Sequence, residues 1–494
     1  MKSRGAISLG YECVLIDVEC HISNNLPGIT IVGLATRSVD ESRERIRAAF
    51  SASGLELPRR KILINLAPAD IAKDDSGLDF AIAAAIIGKD MAKGLGNSAY
   101  IGELGLDGIL KPVRGLVGKL LEARSQGVDS VYVPEVMSEQ AALVPGIKIY
   151  PIKNLRQFVS IIQGEEIQLV RSSSSKNAPK REYLLDDIVG QAHAKRALLV
   201  AAAGRHNLHM YGPPGTGKTM LAKAASELLP NLSREESLVV THIHSLATHE
   251  SDAIIDQAPF RAPHHTASDI SIIGGGSHAR PGEISLAHLG ILMLDELPEY
   301  SKSTLEALRQ PLEDKRVTVS RARVSTTYPA DFMLIATSNP CPCGFYGSDK
   351  PCSCSPYEII RYQKRLSGPI MDRIDMHIQV NAIDPEKLLE NVAQKQKTVD
   401  YKKIVAGAHE SQRNRNSGKL NCLLSAKQLN KFGQLSTEAK HFLDQAAHSL
   451  KFSSRAYIRI VRVARTIADL EHSEEISKNH IGEALQYRQR DSIL

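Results

Sequence analysis

Gly212-Pro213-Pro214-Gly215-Thr216-Gly217-Lys218-Thr219 places three glycines, an ammonium and two hydroxyls within eight residues. The spacing is that of a loop that wraps phosphates, G-x-x-x-x-G-K-[ST]. Glycines let backbone N–H groups turn toward one anion, and a helix starting behind them adds partial positive charge. Lys218 suits the β- and γ-phosphates, and the Thr219 hydroxyl suits Mg²⁺. Such a loop needs a strand before it and a helix after it. Asn207–Tyr211 reads as a short buried strand and Met220–Leu229 as a helix. The expectation is a site for a nucleoside triphosphate and Mg²⁺ made by all eight residues.

The apolar run Gly290–Leu294 ends in Asp295-Glu296. Such a run suits a central parallel strand covered on both faces, whose C-terminal end presents ligands. There Asp295 would orient Mg²⁺, and Glu296 would act as general base on the attacking water. Alone, the motif also describes a strand entering an acidic turn; beside a phosphate loop the chemical reading is preferred. Phe332–Ser338 is a second apolar strand, ending at Asn339.

Four of the seven cysteines, Cys341, Cys343, Cys352 and Cys354, form C-x-C-x₈-C-x-C directly after Asn339. Four thiolates in one short loop can close a tetrahedral Zn²⁺ site. The C-x-C spacing is tighter than the usual knuckle, so reduced, metal-free thiols are the competing reading. The other cysteines are scattered, unlike a secreted disulfide framework. The sequence shows no signal peptide, and its greasiest run, Phe80–Gly88, is too short to span a bilayer. A cytoplasmic protein with no membrane partner is expected. His264 and His265 lack a further ligand set and read as structural.

The elements that must position these groups divide the 494 residues into parts. Residues 1–170 alternate strand-like runs (Val14–Glu19, Ile29–Val32, Lys61–Asn65) with amphipathic helices, most clearly Ser38–Ser53. The polar stretch 171–181 has no periodicity and reads as a linker. Residues 182–385 carry the phosphate loop and both apolar strands. Residues 386–494 read as helical, with N-caps at Ser425 and Ser436 and a helix Ser454–Glu471. This last part holds 19 Lys+Arg against 12 Asp+Glu, whereas the remainder is balanced. That excess is compatible with a polyanionic partner. Trp is absent and aromatics are 5%, which argues against base stacking as the main grip on single strands.

Three stretches carry a family resemblance: FRAPHHTAS (260–268), IGGGSHARPGEISLAHLGILMLDELPEY (273–300) and LSGPIMDRID (366–375). They resemble the magnesium-chelatase-like AAA+ ATPases. VGLATRSVDESRERIRAAF (32–50), INLAPADIAKDDSGLDFAIAAAI (64–86) and GELGLDGILKPVRGLVGKLLEARSQGV (102–128) resemble the Lon-protease-like fold. That domain in front of the motor points to the ComM (YifB) branch. The resemblance implies an α/β and α+β multidomain protein. Its parts would be a Lon-protease-like (ribosomal S5 domain 2-like) domain, an AAA+ αβα P-loop NTPase core and a C-terminal helical lid. The position of the Lon catalytic lysine holds Val117, and the serine position falls at Gly77 or, shifted by one, Ser76; a shifted Ser76–Lys119 dyad is the disfavoured alternative.

The resemblance further implies Asn339 as sensor 1, Arg373 as a finger reaching a neighbouring subunit, and Arg455 as a sensor-2 arginine at the γ-phosphate. On spacing alone, Arg373 reads as a salt bridge to Asp372 or Asp375, and Arg462 as part of a solvated basic face. Val189 and Gln191 would lie at the adenine. Two insertions would line a pore and track DNA phosphates: residues 254–286, with Arg261 and Arg280, and a hairpin over 316–328, with Arg321 and Arg323 near its tip. The implied protein is a homo-oligomeric ring, expected as a hexamer. It would translocate branched, single- or double-stranded DNA, promoting branch migration in natural transformation and recombination, with recombination proteins as further partners. The alternative is a remodeller of a partner protein, as in true magnesium chelatase.

Overall fold

Strict alternation in Lys61–Ala67, with Ile62, Ile64 and Leu66 fully buried, marks a strand with an inner and an outer face. The computed structural model describes residues 2–34, 37–91, 95–165, 185, 188–247, 254–276, 279–320, 325–366, 368–382 and 400–488. The expected linker 171–181 and the hairpin tip Arg321–Val324 lie outside them.

Nine strands fall in the first part: β1 Lys2–Leu9, β2 Glu12–Ser23, β3 Gly28–Val32, β4 Lys61–Ala67, β5 Ser98–Tyr100, β6 Glu103–Leu104, β7 Leu110–Lys111, β8 Ser130–Pro134 and β9 Lys148–Ile152. Seven make one mixed sheet in the order β3-β4-β2-β1-β5-β8-β9; β6 and β7 form a separate ribbon. Ile7 and Ala6, consecutive on β1, enter different apolar clusters, one with helix Asp79–Asp90 and one with helix Leu116–Ser125. The sheet is therefore covered on both faces. Helix Asp79–Asp90 is buried almost throughout because its residues are Phe, Ala and Ile.

The second part holds β10 Leu208–Tyr211, β11 Phe260–Arg261, β12 Gly274–Gly275, β13 Arg280–Pro281, β14 Ile291–Leu294, β15 Arg316–Ser320, β16 Ser325–Pro329, β17 Met333–Ser338 and β18 Met376–Gln379. Five are parallel, in the order β11-β14-β17-β10-β18. β14 and β17 are buried at every residue, as two-sided cover requires. The register that pairs Leu294 with Ala336 and Tyr211 with Ser338 brings the C-terminal ends of β10, β17 and β14 to one edge. β15 and β16 form the expected antiparallel hairpin, and β12 and β13 a short ribbon.

Among the described residues that follow, the α-helices are Tyr401–Arg415, Ala426–Phe432, Thr437–Ser449, Ser454–Leu470 and Lys478–Gln486. Ser425 and Ser436 cap two of them through side-chain acceptance of Gln428 and Ala439 N–H groups. Their apolar faces enter the same core cluster as helix Ala192–Gly204 and β10.

The front sheet is docked on the motor along strand β16 of the hairpin. The Tyr11 N–H, in the β1–β2 turn, donates to Thr326 Oγ1 at 3.0 Å, and Tyr11 O lies 2.8 Å from His242 Nε2. Gly10, with φ +69°, lets this turn approach: an added Cβ would lie 2.5 Å from Thr326 Oγ1. Leu238 of helix Arg234–Ala247 enters the front domain's apolar cluster.

Candidate nucleotide site

The phosphate loop leaves β10 at Gly212, where an added Cβ would lie 2.1 Å from the Val380 carbonyl oxygen. Gly215 and Gly217 adopt φ of +79° and +83°, the left-handed region that glycine enters at little cost. A Cβ at either would meet nothing within 4 Å, so this side of the loop has room for phosphates. Helix Lys218–Ser226 begins directly behind, as the charge argument requires. The Thr216 hydroxyl is turned inward to Pro213 O at 3.0 Å. Beside the loop, half-buried Val189 precedes Gln191, whose amide donates to Asn381 O at 2.7 Å.

Lys218 Nζ donates to Gly212 O at 2.7 Å, Pro213 O at 2.8 Å and Asn339 Oδ1 at 3.2 Å. Burial lowers its pKa, while Asp295 and Glu296 pull it back up. Thr219 Oγ1 donates to Asp295 Oδ2 at 2.9 Å, so the two groups expected to share Mg²⁺ already touch. Asn339 follows β17, the strand between those carrying the loop and the carboxylates, which explains its contact with the lysine. Glu296 sits at φ +53°, an uncommon conformation for a non-glycine residue, and its side chain is half exposed. His265 Nδ1 lies 3.9 Å from Glu296 Oε2.

Two contributors were not singled out from the sequence. Thr337 Oγ1 donates to Asp295 Oδ1 and accepts the Glu296 N–H at 3.1 Å, so one hydroxyl holds both carboxylate residues. Its signal was available: a polar residue in a buried, mainly apolar strand asks for partners. The second is His209, fully buried on β10, bonded to Ser338 Oγ at 2.9 Å, and pushed down to about 4 by burial and then by Lys218.

Arg373 and Arg455 do not join this constellation within one chain. Arg373 Nη2 pairs with Glu313 Oε1 at 2.6 Å, neither with Asp372 nor with Asp375. Arg455 reaches the same oxygen at 3.6 Å. Arg462 corrects the expectation of a solvated face: it donates to Leu424 O at 2.8 Å, and Arg459 donates to Ile374 O at 2.7 Å. Arg459 thus clamps the lid to a core carbonyl, whereas Arg462 clamps a carbonyl within the lid itself.

The four cysteines are brought together. Cys341, Cys343 and Cys352 Sγ atoms lie 3.4 to 3.7 Å apart, and all four fall within 4.8 Å of one another. The edge of a ZnS₄ tetrahedron with Zn–S of about 2.3 Å is about 3.8 Å, so the set fits zinc. Tyr346 N–H donates to Cys341 Sγ at 3.3 Å and Cys343 N–H to Cys354 Sγ at 3.4 Å, the outer contacts such sites use. The Phe345 N–H holds the Cys343 thiol down to about 5. This loop rests on the phosphate loop: a Cβ at Gly344 would lie 2.6 Å from Pro214 Cδ.

Among the arginines expected at DNA, Arg261 is paired within the chain. It forms a two-bonded pair with Glu283 at 2.6 and 2.7 Å, so in this structure its guanidinium is held by a carboxylate. Arg280 is exposed on β13, and Arg321 and Arg323 lie outside the described residues. In the front domain, Lys119 Nζ donates to Asp75 Oδ2 at 2.6 Å, whereas Ser76 Oγ donates to Glu103. Ser76 and Lys119 thus point to different carboxylates, and Val117 is in the core.

Comparison with known proteins gives three family matches: "Magnesium chelatase, subunit ChlI" over residues 184–388, "Subunit ChlI of Mg-chelatase" over 18–137 and "Magnesium chelatase, subunit ChlI C-terminal" over 395–488. The uncharacterized protein YifB of Escherichia coli is 40% identical over 491 residues, covering 99% of this chain and 96% of its own. Competence protein ComM of Haemophilus influenzae is 39% identical over 491 residues, covering 97% and 96%. The archaeal Lon protease of Archaeoglobus fulgidus is 46% identical over 66 residues, 13% of this chain and 11% of that protein. Among the described residues, no helix is long and apolar enough to cross a membrane.

Proposed function

The chain belongs to the magnesium-chelatase-like AAA+ family with ComM and YifB, and on that premise we propose that it is a ring-forming ATPase that translocates DNA. The observation that carries the reading is the split of the chemical groups. Lys218, Thr219, Asp295, Glu296 and Asn339 converge at one sheet edge, while Arg373 and Arg455 converge elsewhere on Glu313. Transition-state charge on a transferred phosphoryl group calls for a guanidinium. A second copy can supply it.

In this reading the loop N–H groups and Lys218 hold the β- and γ-phosphates of ATP, and Thr219 and Asp295 hold Mg²⁺. Mg²⁺ held by these two groups would supply charge neutralisation for the transferred phosphoryl group. Glu296 accepts a proton from the attacking water, and Asn339 orients between lysine and carboxylates. Val189 and Gln191 flank the base. Division into 1–170, 171–181, 182–385 and 386–494 belongs to the same proposal, with the front domain lacking protease chemistry. So do a hexameric ring, a cytoplasmic location and a structural Zn²⁺ at the four cysteines.

One relative is a competence protein; branch migration during natural transformation and recombination is the activity we propose here. The Arg321/Arg323 hairpin and Arg280 are its proposed DNA contacts. Strand displacement from a four-way junction, with and without ATP, tests it. ATP-dependent displacement is expected. ATPase activity indifferent to any DNA would instead favour remodelling of a partner protein.

A further inference from the structure

A cavity of about 270 Å³ lies where the front domain meets the hairpin base, between Arg114 on one wall and Arg280 and Tyr328 on the other. Arg114 belongs to the loop ahead of helix Leu116–Ser125, and its Nε is shut from solvent without a hydrogen-bond partner. A buried donor left this way costs free energy that a bound acceptor would remove. Arg280 reaches the cavity from the glycine-rich insertion, fully on the motor side. Burial, and after it the field of Arg280, disfavours the proton on Arg114; Asp75 acts the other way.

The carboxylates facing the cavity are Asp74 and Asp75. Asp75 is already matched: it takes Lys119 Nζ at 2.6 Å, the Gly77 N–H at 2.8 Å and the Ser8 N–H at 3.3 Å. Asp74 is exposed at the rim. Tyr328 is no stacking platform, since the ring is buried and its hydroxyl donates to Ala279 O. Two guanidiniums from two domains, with no base-reading group between them, suit a phosphate diester.

We infer that this cleft is a phosphate site at which the front domain itself grips the nucleic-acid backbone as the strand passes the hairpin. The inference rests on the DNA reading above and gives the front domain a direct part in it. The Arg114 guanidinium meets the phosphate from the front domain's wall, and Arg280 closes on the same group from the motor. The docking of Tyr11 on Thr326 keeps the two walls in register.

The test uses the full chain and fluorescence anisotropy of a labelled single strand and a labelled duplex over a salt series. Arg114→Gln is expected to weaken both several-fold and to flatten the log K against log salt slope by about 0.9 for duplex, one phosphate contact. Arg114→Lys should recover most of the loss. Binding of a labelled ATP analogue and the thermal midpoint should match wild type for both variants. Equal DNA affinity and slope in wild type and Arg114→Gln overturns the inference and leaves the DNA reading standing. Wild type that binds no DNA overturns both. Calorimetry with inorganic phosphate separates the source: phosphate bound by wild type and lost in Arg114→Gln, with DNA binding unchanged, would make this a free-phosphate site and refute the polymer contact.

Discussion

Arg373 and Arg455 reach one oxygen, Oε1 of Glu313, at 2.6 and 3.6 Å. They line a cleft with Arg459 and Arg462 and with no residue of the phosphate loop. Arg455 is largely exposed and Glu313 about half so, which leaves this ion cluster open to exchange for another anion. A neighbour's γ-phosphate is the anion that the proposed ring would bring there.

Arg373→Ala is therefore expected to bind ATP normally and to hydrolyse it about 10³-fold more slowly. Arg455→Ala should act in the same direction. Steady-state phosphate release beside equilibrium nucleotide binding separates the two effects; loss of binding in Arg373→Ala would place this residue at its own chain's nucleotide. Glu313→Gln frees both arginines and should lower the protein concentration needed for half-maximal ATPase.

Lys218→Ala should lose nucleotide binding, and Glu296→Gln should keep ATP while losing turnover. Thr337→Val is the sharper test of geometry, because it removes one hydroxyl that holds Asp295 and the Glu296 backbone together. A fall of about 100-fold in kcat with little change in ATP affinity is expected for such a misplacement. Unchanged kcat would mean that the carboxylates need no such tether.

The cysteine loop should hold one zinc per chain in reduced, desalted protein. Cys352→Ser should lower that content. Gly344→Ala probes the link to the nucleotide, since its φ is +86° and its new methyl would press on Pro214. It should cost about 1–3 kcal/mol and weaken ATP binding while zinc stays. Elemental analysis with a nucleotide titration reads both; zinc-free wild type of full activity would remove the metal from the account.

Acid should destabilise the motor before its carboxylates titrate. Burial holds His209, His288 and His409 down to about 4 in the fold, against about 6.5 when unfolded. The unfolded chain thus binds more protons between these values. Stability from these groups is complete above about pH 6.5 and is lost as pH falls toward 4, by up to about 1.4 kcal/mol per unit for each histidine. Urea midpoints at pH 7.5 and 5.5 should differ in that direction; equal midpoints would contradict burial of the neutral rings.

Much of the nucleotide site was legible because its chemistry is local. The phosphate loop, the Asp295-Glu296 pair and the cysteine quartet each lie on a short stretch, where spacing alone brings donors together. Glu313 was not legible, since it meets Arg373 and Arg455 only through the fold and carries no motif of its own. The pairing of Arg261 was hidden for the converse reason: its charge was visible but its partner Glu283, on a separate helix, was not. Arg462 reads as a surface stripe until the Leu424 carbonyl is placed beneath it. The front sheet was legible as alternating strands, whereas its contact with the hairpin rests on Gly10 and Tyr11, a turn like many others in sequence.

Mixing Lys218→Ala with Arg373→Ala protein tests the shared centre most directly. Each alone should be nearly inactive as an ATPase. Co-assembled, some boundaries would join an intact loop on one chain to an intact finger on the next. The account predicts that ATPase activity returns in the mixture and rises with co-assembly. A mixture shown to co-assemble yet as inactive as its parts, or an Arg373→Ala protein fully active by itself, would contradict it.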